Sequence, residues 1–161
     1  SDEDFEARLL LIELHHRAGP PRDFMAALEQ VSRSGELVRS HRAKLAKRLG
    51  DLARNEQMYP QAISWYEEAV QLSPSLTSEV TYRIASCYEE TGRFEEAASW
   101  YQQVVHPPWR VRGLLAAAKL LQRQDRLKDA EAIYEQLVGE PIPEAKLVQE
   151  WLGALRGEGV N

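Results

Sequence analysis

The sequence predicts an all-α solenoid built from antiparallel helix pairs, and two observations lead to this prediction. Apolar residues recur every three to four positions along most of the 161 residues, and no stretch alternates apolar and polar residues for long enough to predict a strand. A segment of similar sequence also occurs three times, at 59–74, 94–108 and 127–141. Together these observations indicate one helical supersecondary unit that is repeated along the chain.

The repeated segment sets the period of the unit. Its alanines, Ala62, Ala97 and Ala130, are 35 and 33 residues apart, and a tyrosine follows each of them four residues later. Such periods are typical of stacked helix pairs, because a single pair cannot cover its own apolar face. Turns rich in Gly and Pro separate the helical stretches, and Pro60 and Pro143 are expected in the first turns of their helices. The predicted helices, nine in all, span 4–18, 22–33, 37–55, 59–72, 77–91, 94–105, 110–124, 127–138 and 143–155.

The composition is that of one globular domain over residues 1–161. Hydrophobic residues make up 43% and charged residues 28% of the chain, and the longest apolar run is far shorter than the roughly 20 residues of a membrane-spanning helix. The single cysteine, Cys87, excludes an internal disulfide and is predicted to fill space in the core. The compartment stays open between cytoplasm and bacterial periplasm, since disulfide-free proteins occur in both.

The sequence contains no pattern of catalytic or ligand-binding residues. It has no phosphate-binding glycine loop, no paired-histidine zinc motif and no nucleophile elbow. The four histidines show no metal-ligand spacing with the cysteine. We therefore predict a protein that is not an enzyme, binds no cofactor and no metal, and does not span a membrane.

The net charge of −5 is unevenly distributed. Between Arg33 and Arg54 there are seven lysines and arginines and only two acidic residues. Such a stretch either attracts an acidic partner or is a solvated helix face with acidic neighbours elsewhere in the fold. Because the stretch lacks interleaved aromatic residues and the chain is acidic overall, nucleic-acid binding is not predicted.

The small and large residues around the repeated alanine follow a known order. With Ala62 at position 20 of a 34-residue unit, Leu49, Gly50, Tyr66 and Pro74 fall at positions 7, 8, 24 and 32. This order resembles that of tetratricopeptide repeat proteins, whose helix pairs stack into a right-handed superhelix. The resemblance implies that Gly50 faces Ala62, since helices approach closely only where side chains are small. It divides the chain into a divergent repeat (1–42), three repeats (43–76, 77–110 and 111–142) and a C-terminal capping helix (143–156).

The two ends of the chain depart from this pattern. Placing Ala27 at position 20 puts Leu14 at position 7 and His15 at position 8, where a small residue is usual. The first helix pair is therefore expected to be splayed. At the other end, Trp151 and Leu155 lie on one face of a last helix that is expected to cover the end of the stack.

The resemblance also implies a binding site. In this family the first helix of each pair lines a concave groove, here with a basic wall, a polar and acidic middle and a second basic wall. A peptide or a helix of a partner protein would fit such a groove. The implied groove residues are Lys44, Lys47, Asp51, Arg54, Glu79, Tyr82, Ser86, Glu89, Arg112, Leu115, Lys119 and Gln122.

A special form of the groove is disfavoured by one residue. Some family members hold a peptide carboxylate with a clamp of Lys, Asn and Arg side chains, and Lys47 matches the lysine of that clamp. Asp51 occupies the position of the clamp Asn, and the corresponding residue of the next repeat is Ser86. An acidic residue inside such a site would repel the carboxylate.

Two hypotheses for the function follow. The first is a non-catalytic scaffold that binds a peptide or helix of a partner protein in the groove. The alternative is a structural array that self-associates through its ends as a homo-oligomer, with no peptide ligand. Trp65 and Trp100 are expected to pack between helix pairs, whereas Trp109 is expected either to pack there or to anchor a partner.

Overall fold

The computed structural model describes residues 1–157 and contains nine α-helices and no strand in that range. The predicted all-α fold class is confirmed. No helix within these residues is both long and apolar enough to cross a membrane. A short 3-10 turn, Pro74–Leu76, precedes the fifth helix. The helices are α1 (Asp2–His16), α2 (Pro21–Arg33), α3 (Arg39–Asn55), α4 (Tyr59–Leu72), α5 (Thr77–Glu90), α6 (Phe94–Gln102), α7 (Trp109–Arg123), α8 (Leu127–Val138) and α9 (Ala145–Leu155).

The helices form a stack in which each one packs chiefly against its neighbours in sequence. α3 packs along α4, α5 along α6 and α7 along α8, and α9 covers α8. α5 also contacts α7, so the first helices of these successive pairs lie side by side. This arrangement is the predicted solenoid, and it gathers α3, α5 and α7 on one face.

The turns within three pairs share one backbone geometry. A residue with positive φ follows the first helix of each pair, at Gln57 (59°), Gly92 (76°) and Asp125 (59°). The next backbone amide then donates to a carbonyl oxygen near the end of that helix, which is a common way for a helix to end. This tight turn fixes where the second helix begins and so sets the antiparallel pairing. The three bonds join Met58 N to Ala53 O (2.8 Å), Arg93 N to Tyr88 O (2.9 Å) and Arg126 N to Leu121 O (2.9 Å).

Most of the predicted helices begin or end one to three residues away from the observed bounds. Two of these differences are informative. α6 ends at Gln102 rather than at 105, because the chain turns there and buries Val104 beside Gly113 of α7. α9 begins at Ala145, so Pro143 precedes the helix instead of lying in its first turn. Pro60 does lie in the first turn of α4, as predicted.

The core has two parts that meet at α5. One apolar cluster extends from α1 to α5, and a second extends from α5 to α9. Val80 of α5 belongs to the first cluster and Ala85 to the second. Tyr88 and Trp100 stack with their ring centroids 6.0 Å apart and pack against both clusters. Cys87 is fully buried, as predicted, and this burial raises the pKa of its thiol to about 11.

Two glycines allow the paired helices to approach closely. A Cβ atom added at Gly50 would lie 2.6 Å from two ring carbons of Tyr66. The atoms nearest to such a Cβ therefore belong to this ring, and Ala62, which the repeat pattern places opposite Gly50, is fully buried. A Cβ atom at Gly113 would lie 2.7 Å from the carbonyl oxygen of Tyr101, a close contact that the sequence pattern did not indicate.

The first pair packs in a different register from the predicted one. Leu14 is 54% exposed, whereas Leu28, one residue beyond the predicted contact alanine, is fully buried. α1 instead turns Phe5 and Leu9 towards the core. The Phe5 ring stacks on His41 of α3 at 4.2 Å, so α1 docks partly on the second pair. Contacts between α1 and α2 are much sparser than those between α3 and α4, in line with the expected splaying.

Replacing Gly50 by Ala is expected to lower the free energy of unfolding by roughly 1–2 kcal/mol, which is the cost of overpacking less the gain in helix propensity. Urea denaturation followed by circular dichroism measures this change. Gly139→Ala is the matched control, since the nearest atom to its added Cβ would be 3.5 Å away. A Gly50→Ala variant as stable as the wild type would contradict the close contact with the Tyr66 ring.

Candidate functional site

The predicted groove residues lie on α3, α5 and α7, and in the first half of this face the charges bind one another. Lys47 Nζ lies 2.6 Å from Glu79 Oε1, and Arg83 Nη2 contacts the same oxygen at 2.8 Å. Arg83 Nη1 also lies 3.2 Å from Asp51 Oδ1. We term these four residues the charge chain. Their side chains are only 18–30% exposed, so the charge chain joins α3 to α5 in a half-buried setting.

The charge chain controls the ionisation of its central carboxylate. Burial alone would raise the pKa of Glu79, but the hydrogen bonds and charges of Lys47 and Arg83 outweigh burial and hold that pKa below its ordinary value. Glu79 is therefore an anion at neutral pH, and its carboxylate forms an ion pair with the Lys47 ammonium group. Arg54 Nη1 donates to Ser86 Oγ at 3.2 Å, so this second cation of the predicted basic wall also has a partner on α5.

Each repeated tyrosine uses one polar side chain of the same face. The tyrosine rings are buried between the paired helices, and burial, followed by hydrogen bonding where the acceptor is a carboxylate, raises the pKa of each hydroxyl. The hydroxyls stay protonated and donate to the first helix of their own pair. Three predicted groove residues are therefore acceptors within the fold. The bonds run from Tyr66 to Asp51 (2.6 Å), from Tyr101 to Glu89 (2.7 Å) and from Tyr134 to Gln122 (2.8 Å).

The basic stretch between residues 33 and 54 is also largely occupied by contacts inside the protein. Besides the two cations already described, three more have partners on α1, α2 or α4. These contacts support the interpretation of a helix face with acidic and polar neighbours elsewhere in the fold. They are Arg33 with Glu29 (3.3 Å), Arg48 with Glu13, and Arg39 with the carbonyl oxygens of Gln71 (2.8 Å) and Leu72 (2.9 Å) at the end of α4.

Two cations on α7 have a different environment, whereas Arg110 at the start of this helix pairs with Glu140 (2.6 Å). Arg112 and Lys119 are exposed, and within residues 1–157 neither lies within salt-bridge distance of a carboxylate. Each lies over an aromatic ring instead, Arg112 at 5.1 Å from the centroid of Trp109 and Lys119 at 5.0 Å from that of Trp151. Cation–π contacts leave the outer side of each cation open, so both charges remain available to an anion.

A cleft between α7, α8 and α9 adjoins Lys119. Its volume is about 480 Å³, and the Trp151 ring, which lies 6.1 Å from that of Tyr134, forms one wall. The cleft thus combines a cationic edge with an aromatic wall. Sequence reasoning assigned Trp151 to the capping helix alone and missed this role. The lining residues are Lys119, Gln122, Tyr134, Trp151, Ala154 and Leu155.

A constant offset relates these contacts along the chain. Lys47 meets Glu79, Arg54 meets Ser86 and Lys119 meets Trp151, and in each case the second residue follows 32 positions after the first. A residue on the first helix of one pair therefore faces the residue 32 positions later on the next such helix. This offset is the sequence signal that would have indicated Trp151.

The remaining predicted groove residues either pack against apolar or aromatic side chains or are exposed charges. The Tyr82 ring lies 5.1 Å from that of Tyr101 and 5.3 Å from that of Trp109, so Trp109 packs between pairs as well as facing the groove. Leu115 is half-buried against the second apolar cluster, and Lys44 is exposed on α3.

Two remaining expectations concern tryptophan packing and the carboxylate clamp. Trp65 and Trp100 are partly buried against the core, as expected. Lys47 and Asp51 are both engaged in the charge chain, so the structure offers no support for a carboxylate clamp at these residues.

Comparison with known proteins agrees with this architecture. The tetratricopeptide repeat family model matches residues 41–105. A crystal structure of nearly identical tetratricopeptide-like repeats, assigned to a kinesin light chain of Podosopora anserina, matches with a TM-score of 0.63 and 18% identity. That match covers 96% of this chain and 88% of the other. None of the curated proteins matches the sequence. The predicted family resemblance and the repeat fold are thus confirmed.

The lowered pKa of Glu79 predicts a pH dependence of stability. Its stabilising contribution is complete above its ordinary pKa of 4.5 and is lost as the pH falls below that value through the lower pKa of the folded state. Glu79→Gln should therefore be less stable than the wild type at neutral pH, and the difference should shrink on acidification. Urea midpoints at a series of pH values down to about 3 measure it.

The control for this experiment is Glu95→Gln, since Glu95 is exposed on α6 and lies in no ion pair of the described chain. It should follow the wild-type pH dependence. A constant difference between Glu79→Gln and the wild type across the whole pH series would show that the charge chain does not stabilise the Glu79 carboxylate.

Proposed function

Since the chain carries tetratricopeptide repeats and has their fold, we propose that it is a non-catalytic scaffold that binds an acidic segment of a partner protein on its α7 face. Repeats of this kind are commonly protein-interaction scaffolds and are generally not enzymes. The observation that supports the location is that Arg112 and Lys119 on α7 are exposed and lie in no ion pair within residues 1–157, in contrast with the neutralised charges of α3 and α5.

The spacing of the two cations favours particular partner sequences. Arg112 and Lys119 are seven residues, or two helical turns, apart on the same side of α7, which corresponds to about 10 Å. In an extended polyproline-like segment, side chains three residues apart lie at about 9 Å on one side. Two acidic residues at that spacing would each meet one cation. A partner helix would need its acidic residues seven apart to do the same.

The cleft beside Lys119 favours a partner that also carries a large apolar side chain. An aromatic or aliphatic side chain of the partner, placed next to the acidic residue that meets Lys119, would enter the cleft against Trp151. Exposed charges orient a ligand but contribute little free energy, whereas buried aromatic contacts contribute more. The proposed ligand is therefore acidic with at least one large apolar side chain.

The charge chain explains why the α3 side is a poorer binding surface. Lys47 and Arg54 already hold Glu79 and Ser86, so a partner carboxylate would have to displace an internal contact. Charge reversal at Lys47 or Arg54 would also disturb the packing of α3 on α5. Within residues 1–157, Arg112 and Lys119 carry no such structural contact to a carboxylate, and they can be reversed with less effect on folding.

Self-association through the C-terminal cap is not favoured. Trp151 and Leu155 of α9 are partly buried against the second apolar cluster and line the cleft. Leu147, which is 45% exposed, is the large apolar side chain that α9 leaves outward within the described residues. A single exposed leucine is ordinary for a protein surface.

The binding proposal predicts the outcome of a selection from a random peptide display library on the immobilised wild-type chain. Enriched peptides should carry two acidic residues three apart and an aromatic or aliphatic neighbour. Their affinity for the double variant Arg112→Glu and Lys119→Glu should be weaker by roughly tenfold or more, since two attractive contacts become repulsive. Fluorescence anisotropy with the labelled selected peptide measures this change.

The matched control is Lys128→Glu, which reverses an exposed lysine on α8, outside the α3, α5 and α7 face. It should bind the selected peptide like the wild type. The proposal fails if selected peptides show no acidic preference, or if they bind the double variant as tightly as the wild type while its circular dichroism and melting are unchanged.

A further inference from the structure

α1 has a second apolar face that no other element covers within residues 1–157. Leu10, Leu11 and Leu14 are 55%, 67% and 54% exposed, and Ala7 is exposed beside them. These four residues, the leucine stripe, follow the i, i+3, i+4, i+7 spacing of a helix face that packs against another helix. Scattered exposed leucines are ordinary, but three on one face form a contiguous patch of the kind that marks an interaction site.

The charges that border the leucine stripe change sign along the helix. Asp4 and Glu6 lie towards the start of α1, and His15 and Arg17 lie at its end; all four are exposed. At 100° per residue, Glu6 and Arg17 fall on one border of the stripe, and Asp4 and His15 fall on the other. Neither Glu6 nor Arg17 takes part in an ion pair within the described chain.

We propose that the leucine stripe is a self-association surface on which α1 of a second copy packs in antiparallel orientation. The stripe is symmetric about a point between Leu10 and Leu11. A two-fold axis at that point sets Ala7 of each copy opposite Leu14 of the other, a small residue against a large one. It also sets Leu10 beside Leu10 of the other copy and Leu11 beside Leu11, so every member of the stripe has an apolar neighbour.

Charge complementarity selects a second copy in this orientation. In the antiparallel pair, Glu6 of each copy lies next to Arg17 of the other on one border, and Asp4 lies next to His15 on the opposite border. In a parallel two-fold pair the borders exchange, so Glu6 would lie beside Asp4 of the other copy and Arg17 beside His15. Two carboxylates would then meet, and no acidic residue would meet Arg17. The same surface therefore supplies both the apolar seam and its matching charges.

The size of the surface sets the strength of the association. Two helix faces that pack together bury less surface area than the roughly 1,200 Å² at the lower limit of specific, stable interfaces. The dimer is therefore weak, forms as protein concentration rises, and weakens in high salt because its border charges are exposed.

Sedimentation velocity over a concentration series tests the proposal. The wild-type chain should shift from monomer to dimer, and the double variant Leu10→Glu and Leu14→Glu should weaken dimerisation by at least about 100-fold, because charges replace apolar groups at the seam. Leu147→Glu, which changes an exposed leucine of α9, is the matched control and should dimerise like the wild type.

A charge exchange tests the orientation. Glu6→Lys and Arg17→Glu should each weaken dimerisation, since each creates two repulsive contacts across the two-fold axis. The double variant carrying both changes should dimerise again. An equimolar mixture of the two single variants should also form a dimer, because every border contact between the two different chains is then attractive.

Three results would overturn the proposal. One is a wild-type chain that stays monomeric over the whole concentration series. Another is a dimer that persists unchanged in the Leu10→Glu and Leu14→Glu variant. The third is a mixture of the two charge variants that associates no better than either variant alone.

Discussion

The buried tyrosine of each repeat is the constraint on which the rest of the structure depends. A tyrosine ring fills the gap between paired helices, but it brings a hydroxyl group that needs a hydrogen-bond partner in the interior. Each hydroxyl finds its acceptor on the first helix of its own pair, as Tyr66 does at Asp51. The same side chain thus closes the pair and fixes a polar group on the α3, α5 and α7 face. Gly50, pressed against the Tyr66 ring, shows that the backbone spacing is set by this ring.

The α3, α5 and α7 face is not uniform along its length. Whether a cation on it is available to a partner depends on the residue that it meets on the next helix. The 32-residue offset places Glu79 opposite Lys47, so a cation meets a carboxylate and the charge is neutralised. The same offset places Trp151 opposite Lys119, so a cation meets a ring and keeps its charge available. Two lysines on the same face, one helical turn apart in the repeat, therefore differ in what they offer a partner. The difference comes from one residue on the following helix and not from the lysines themselves.

The sequence predicted the parts of the fold that depend on local pattern. The repeated alanines and tyrosines indicated the paired helices, and Pro60 marked a helix start, because packing and chain geometry act within a single repeat. Contacts across repeats were harder to predict. The Arg83 bridge and the role of Trp151 depend on side chains that meet only after stacking. The register of α1 was predicted wrongly, since this helix has apolar residues on two faces, and composition alone does not decide which face turns inward.

The proposed dimer through the leucine stripe has a consequence for binding at the α7 face, because it would join two copies of that face. The leucine stripe and the α7 face lie on different helices of the stack, and α7 does not contribute to the stripe. A two-fold pair through α1 would leave both α7 faces open and present two identical binding surfaces. For a partner with two acidic segments, the second contact would be intramolecular and would raise the overall affinity by roughly 10²–10⁴ without any new interaction. Two exposed cations contribute little to a single site. Effective capture of such a partner would therefore depend on the proposed dimer, because linked sites gain the affinity that each lacks alone.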